Sequence, residues 1–174
     1  MLKPQDIVVL LKLVAAPEAP WSYPRLALDL EISQSEIHAA VKRAQAAGLA
    51  TKTASGSQPV RQALEEFLLH GIKYVFTPKR GGPVRGMLTA WAAPPLKDQF
   101  VQSDELPPVW PHAEGTVRGL EFSPLYKSAP NAACKDEKLY ELLVLVDAMR
   151  GGRAREKDLA AKELRARLGS AGKS

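Results

Sequence analysis

Gln34, Ser35, His38 and Lys42 recur at three- and four-residue spacing, so on a helix they fall on one outward face. Their chemistry is hydrogen bonding and charge rather than bond making. An amide, a hydroxyl and an imidazole each donate and accept, and an ammonium seeks anions. Base edges in a major groove, with phosphates beside them, offer those partners. Ser33 opens the set, and Arg43 adds a cation beside Lys42. Further along, Lys79, Arg80 and Arg85 lie in Thr77 to Gly86, TPKRGGPVRG, where cations alternate with glycine and proline. A flexible, positive hairpin tip of this kind suits a phosphate backbone or a minor groove, although exposed tips are also basic for solubility alone.

The elements that must position these groups are legible around them. Ser22 can cap a short helix that carries Pro24 in its first turn, where a missing N–H costs nothing. Leu26, Ala27 and Leu30 share its apolar face. Glu31 and Ile32 then lead to Ser33, and Glu36 three residues later completes the pattern of a capping box. In the second helix Ile37, Ala40, Val41 and Ala44 form the inner stripe, and Gly48 supplies the stop. A short helix, a tight connection and small Ala27 and Ala40 at the crossing suit a helix-turn-helix, while an ordinary helix pair in a small core would show the same apolar stripes.

On these residues the segment resembles the DNA-binding core of winged-helix bacterial regulators, the MarR-like group in particular. The pattern carrying the resemblance is Leu26-Ala27-x-x-Leu30-x-Ile32-Ser33-x-x-x-Ile37-x-x-x-Val41-x-x-Ala44-x-x-x-Gly48-Leu49. Ala44 stands where such proteins usually carry a larger aliphatic residue, which leaves volume for another element to fill. The resemblance implies a winged helix-turn-helix that binds double-stranded DNA sequence-specifically, as a homodimeric transcriptional regulator. Ser33 belongs to the DNA-binding set, with Gln34, Ser35 and His38 nearest the base edges and Lys42 and Arg43 nearest phosphates. Lys79, Arg80 and Arg85 flank the duplex from the wing.

The rest of the chain sets the frame. Ile7, Leu10, Leu11 and Val14 predict a core helix beneath the helix-turn-helix; Lys12 in its middle argues against a membrane segment, and Ala16 to Pro20 is a linker. Leu49 to Thr53 has strand composition and Ala54 to Pro59 that of a turn or loop. A helix is expected over Arg61 to His70, ended by Gly71. Ile72 to Phe76 and Met87 to Ala92 are then expected as the two strands of the wing. Prolines in Asp104 to Pro111 interrupt regular structure and place a boundary near residue 100. Beyond it come a strand in Thr116 to Phe122 and helices over Asp136 to Arg150 and Ala154 to Leu168, separated by Gly151-Gly152. Trp110, Leu125 and Tyr126 either cover the protein's own core or dock on a partner.

The expected fold class is α+β, mostly α. A winged helix-turn-helix domain over residues 1–100 precedes a smaller helical region over 101–174.

The net charge of +5 is placed unevenly. Residues 1–149 hold 16 basic and 16 acidic side chains, and residues 150–174 hold 8 and 3. A basic helical hairpin of this kind suits a helix packed on its neighbour, a dimer interface or added phosphate contacts. One cysteine, Cys134, excludes an internal disulfide and fits a reducing cytoplasm. His38, His70 and His112 show no metal-ligand spacing, and GxSxG, GxxxxGK[ST] and GxGxxG are absent. No catalytic residue, metal or cofactor is expected. The alternative function is a protein-interaction scaffold, an antitoxin-like or defence-operon partner, in which a winged-helix domain presents an acidic middle and a basic tail to another protein.

Overall fold

The computed structural model of the protein describes residues 1–18, 20–101 and 104–169. Ala19, in the expected linker, and the last five residues of the basic tail lie outside the described residues.

Three helices come first: α1 (Pro4–Ala15), α2 (Tyr23–Leu30) and α3 (Gln34–Ala46). Both expected caps form. Ser22 Oγ accepts from Arg25 N–H at 3.2 Å, and Ser33 Oγ accepts from Glu36 N–H at 3.3 Å. Each satisfies a backbone donor that the first helical turn leaves unpaired. Apolar stripes on the three helices meet in one core, with Ile7, Leu10, Leu11, Leu30 and Ile37 essentially without solvent contact. An antiparallel hairpin follows at once, β1 (Ala50–Thr53) paired with β2 (Gly56–Pro59) around Ala54 and Ser55.

The next segment departs from expectation. Helix α4 (Arg61–Glu66) does not stop at Gly71; it passes through a π-helical turn, Phe67–Gly71, into α5 (Ile72–Val75). The expected strand over Ile72 to Phe76 is therefore helical. Leu64, Leu68 and Ile72 continue one buried stripe at four-residue spacing, and that burial outweighs the strand preference of a β-branched run.

Arg80–Leu88 forms β3, and the residues expected as a return strand end in a short 3₁₀ turn at Ala90–Ala92. β3 pairs antiparallel with both β4 (Pro108–Pro111) and β5 (Val117–Phe122), while β4 and β5 run parallel. The three strands close on themselves. Prolines that were expected to interrupt structure lie inside β4, which donates little to its neighbours but contributes Trp110, only 1% exposed, to the core.

Helices α6 (Ala129–Lys135), α7 (Glu137–Gly151) and α8 (Ala154–Gly169) complete the chain. The expected stripe on α7 is an understatement: residues 142–150 are all buried, because α1, α5, α6 and α8 surround this helix. The apolar core accordingly takes residues from both sides of residue 100. Lys12 in α1 reaches Asp136, the cap of α7, at 2.7 Å, and Asp136 also accepts from Leu139 N–H at 3.1 Å.

The buried face of α7 carries two charges. Asp147 accepts from Thr89 Oγ1 (2.6 Å), Trp110 Nε1 (2.7 Å) and Arg150 Nη1 (2.7 Å). Arg150 in turn donates to the carbonyls of Phe76 (2.8 Å) and Ser123 (3.2 Å). The pair thus ties the central helix to the end of α5 and to all three strands or the residues just beyond them. Burial pushes the Asp147 carboxyl up, against the pull of Arg150, Thr89 and Trp110. Among the described residues, no helix is long and apolar enough to cross a membrane.

Candidate nucleic-acid interface

Helix α3 buries Ile37, Ala40, Val41 and Ala44 and leaves Gln34, Ser35, His38 and Lys42 exposed, with the Ser33 cap beside them. The outward face expected of the sequence is present as one stripe. One ring face of His38 lies against Tyr23, with centroids 3.5 Å apart and planes 18° from parallel, and Trp21 meets Tyr23 edge-on at 5.3 Å. This aromatic ladder fixes the imidazole against α2 while its edge stays at the surface.

Arg43 is placed differently from its neighbours. Its Nε and Nη2 grip the fully buried Asp6 carboxylate at 2.8 to 3.1 Å, and Nη2 also bonds Glu36. It is a structural clasp between α1 and α3, not a cation offered to phosphate. The same contact draws the Glu36 carboxylate toward Arg43 and Gln5, so the hydrogen bond from the Ser33 backbone that a full capping box requires is not among its contacts.

Lys79, Arg80 and Arg85 do not stand at a hairpin tip. Lys79 opens the pairing with β5, its N–H bonded to Ser123 Oγ at 2.8 Å. Arg80 donates to the Gly151 carbonyl at the end of α7 and lies over the Phe122 ring, 4.9 Å from its centroid. Arg85 is exposed within β3. The physical reason is long-range pairing: β4 and β5, more than twenty residues away, recruit this glycine-rich stretch as a strand, and local turn propensity yields to it.

The hairpin that does follow α3 is β1–β2. Trp21 Nε1 donates to the Ser57 carbonyl at 3.2 Å, and Gln45 Nε2 bonds Ser57 Oγ, so the segment leading into α2 and α3 itself both hold it. Gly56, at φ 126°, has the indole of Trp21 3.1 Å from where a Cβ would sit. Any larger residue meets both the backbone and the steric limit. Exposed Lys52 lies on this hairpin, and a cleft of about 300 Å³ separates it from Trp21, Pro24 and Gln45.

Lys52, Trp21 and Tyr23 escaped the sequence reading. The usable signal was the two-residue turn Ala54-Ser55 followed by Gly56, soon after α3, masked by strands that read as ATKT and GSQP and hold little apolar content.

The clasp makes a pH prediction. Hydrogen bonds from Arg43 and Gln5 hold the Glu36 carboxyl below the usual range. For Asp136, burial would raise the carboxyl, but Lys12 and the Leu139 N–H outweigh it and the net direction is down. A depressed carboxylate contributes stability at pH above its unfolded value and loses it as pH falls through the lower folded value. Unfolding free energy from urea titration should therefore decline as pH drops below the ordinary carboxylate range. Glu36→Gln should flatten that decline, and an unchanged profile would place the dependence elsewhere.

No protein-family model, curated protein or solved structure matches this chain.

Proposed function

We propose that this protein binds double-stranded DNA through the exposed stripe of α3, in a winged helix-turn-helix arrangement with β1–β2 as the wing, and acts as a sequence-specific transcriptional regulator. The observation carrying this reading is that Gln34, Ser35, His38 and Lys42 line one surface, beside a hairpin tied to α3 and to the segment that leads into α2. In the proposed complex Gln34 and Ser35 read base edges, His38 presents its free edge, and Lys42 and Lys52 meet phosphates.

Selection of bound sequences from a random duplex library by the purified full chain tests it. An enriched motif supports the reading, and a palindromic one adds a two-fold dimer. Absence of enrichment sinks it. Gln34→Ala should relax preference at one base pair, costing about 1–3 kcal/mol of discrimination there, whereas Lys42→Ala should weaken all duplexes alike and lower the salt slope by about 1. Equal loss on every sequence from Gln34→Ala would contradict direct readout.

A second reading has one observation in its favour: Arg43 and Arg80, both expected at phosphates, are engaged by other groups of the protein, Asp6 and Glu36 for Arg43 and the Gly151 carbonyl for Arg80. The α3 surface is then a scaffold for a protein partner of antitoxin-like or defence-operon type. Stoichiometric capture of a neighbouring gene product, with no duplex binding at low salt, would favour it.

A further inference from the structure

Arg85 and Arg118 occupy directly opposed positions of the antiparallel β3–β5 pair, and both are exposed. Opposed Cβ atoms lie ~4.5–5.5 Å apart, and like charges there oppose folding. Arg43, Arg80 and Arg150 each have carboxylate or carbonyl partners. Arg85 and Arg118 make no ion pair, side-chain hydrogen bond or ring contact among the described residues, and the opposed pairs on either side, Val84–Gly119 and Gly86–Val117, are neutral, as is Pro83–Leu120 two positions along. Two arginines are thus anchored at opposed positions of one strand pair without an internal anion. A fold retains such a pair at a cost to itself, and an external anion would remove that cost.

The position of the pair relative to α3 follows from a continuous run of contacts. His112 N–H donates to the Arg85 carbonyl (3.4 Å), the His112 ring bonds Asn131 Oδ1 (2.8 Å), and Asn131 Nδ2 donates to Glu31 (3.4 Å). Glu31 closes α2, two residues before the cap of α3, and Lys135 of α6 pairs with it at 3.2 Å. The β3 backbone at Arg85 therefore connects to the entry end of α3, while Lys52 lies on the β1–β2 hairpin.

We infer that Arg85 and Arg118 form a second phosphate seat, engaging successive phosphates of the duplex that α3 reads, on the side of α3 opposite the β1–β2 hairpin. This rests on the reading of α3 as the base-reading helix. The chemistry is that of guanidinium forks on phosphodiester oxygens, favoured here because the strand register already fixes the two arginines at opposed positions. It gives the three-stranded unit a part in binding that its distance in sequence from α3 conceals.

The test is duplex affinity of the full chain between about 50 and 200 mM salt, for the natural protein and for R85Q/R118Q. Loss of two phosphate contacts should make the slope of log K against log salt shallower by about 1.8, so the affinity lost across that range shrinks about twelvefold. Relief of like-charge repulsion should leave the thermal midpoint unchanged or higher, and R85K/R118K should restore the slope. A slope unchanged in R85Q/R118Q but flattened in Lys42→Ala overturns the seat and leaves the α3 reading standing. A lowered midpoint, with no recovery of slope in R85K/R118K, also overturns it. If the natural protein fails to bind duplex at the lowest salt, both inferences fall.

Discussion

Asp147→Ala is expected to remove about 3–5 kcal/mol of folding stability, the cost typical of stripping one partner from a buried ion pair. Three losses coincide. Arg150, 6% exposed, keeps its charge without its carboxylate, and the Thr89 hydroxyl and Trp110 indole lose their acceptor in a dry interior. The magnitude does not contradict the upward push on the Asp147 carboxyl. Burial makes the intact pair a modest contributor, yet leaving either half alone is worse than keeping both. Chemical denaturation at neutral pH measures the loss directly. D147L/R150M should recover part of it by removing both charges, with the carbonyls of Phe76 and Ser123 still short of a donor. A loss below about 1 kcal/mol would mean that the pair does not hold the strands to α7. Asp147 also runs against the acid trend of Glu36 and Asp136. A raised folded value makes its contribution decline as pH rises from the ordinary carboxylate range through that value, so its protonation offsets part of the acid loss.

Gly86→Ala is the second large effect, expected to cost at least about 3 kcal/mol, the upper end of overpacking penalties. Gly86 is paired with Pro111 on one side and Val117 on the other, where the three strands converge. A Cβ there would sit 1.8 Å from the Trp110 carbonyl oxygen and 2.7 Å from its carbon, well inside contact distance, and both are backbone that cannot swing aside. Opening the closure would also move Trp110 away from Asp147, so near-ultraviolet circular dichroism from the buried indole should fade together with stability. Gly82→Ala, in the same strand with nothing within 4 Å of its Cβ position, should change stability by no more than about 0.5 kcal/mol. Equal behaviour of the two variants would refute the closed arrangement at Gly86.

These two sites sit far from α3, and the reason they bear on function is positional. Asp147 and Gly86 hold the strand unit that presents Arg85 and Arg118, and α6 links that unit to Glu31 at the turn before α3. Mild destabilisation there should weaken duplex binding through the proposed phosphate seat before it disturbs the bases read by Gln34.

The parts that were legible in the chain are those specified by neighbouring residues. Ser22 and Ser33 cap α2 and α3, the four-residue recurrences from Ile37 to Ala44 set the inner face of α3, and the Gly151-Gly152 pair ends α7, with Gly151 its last residue and Gly152 its cap. Periodicity and capping act within one or two turns, so a single stretch of sequence contains all the information they need. The stripe Gln34, Ser35, His38 and Lys42 belongs to this class, since fixing the buried face of a helix fixes its exposed face as well.

What only the tertiary structure decided depends on partners distant in sequence. Arg43 and Lys42 are adjacent and chemically alike, yet Asp6, thirty-seven residues from Arg43, takes one into the fold and leaves the other at the surface. Arg80 and Arg85 share one loop-like stretch, but strands β4 and β5 turn that stretch into β3, commit Arg80 to α7 and set Arg85 against Arg118. Ile72 is strand-like alone and helical once the core accepts it in phase with Leu64 and Leu68. By itself, the sequence determined which residues α3 turns outward, because helix geometry is local. The assignment of each arginine to an internal partner or to open surface came from folding, because charge is neutralised by whatever the chain brings within hydrogen-bonding reach.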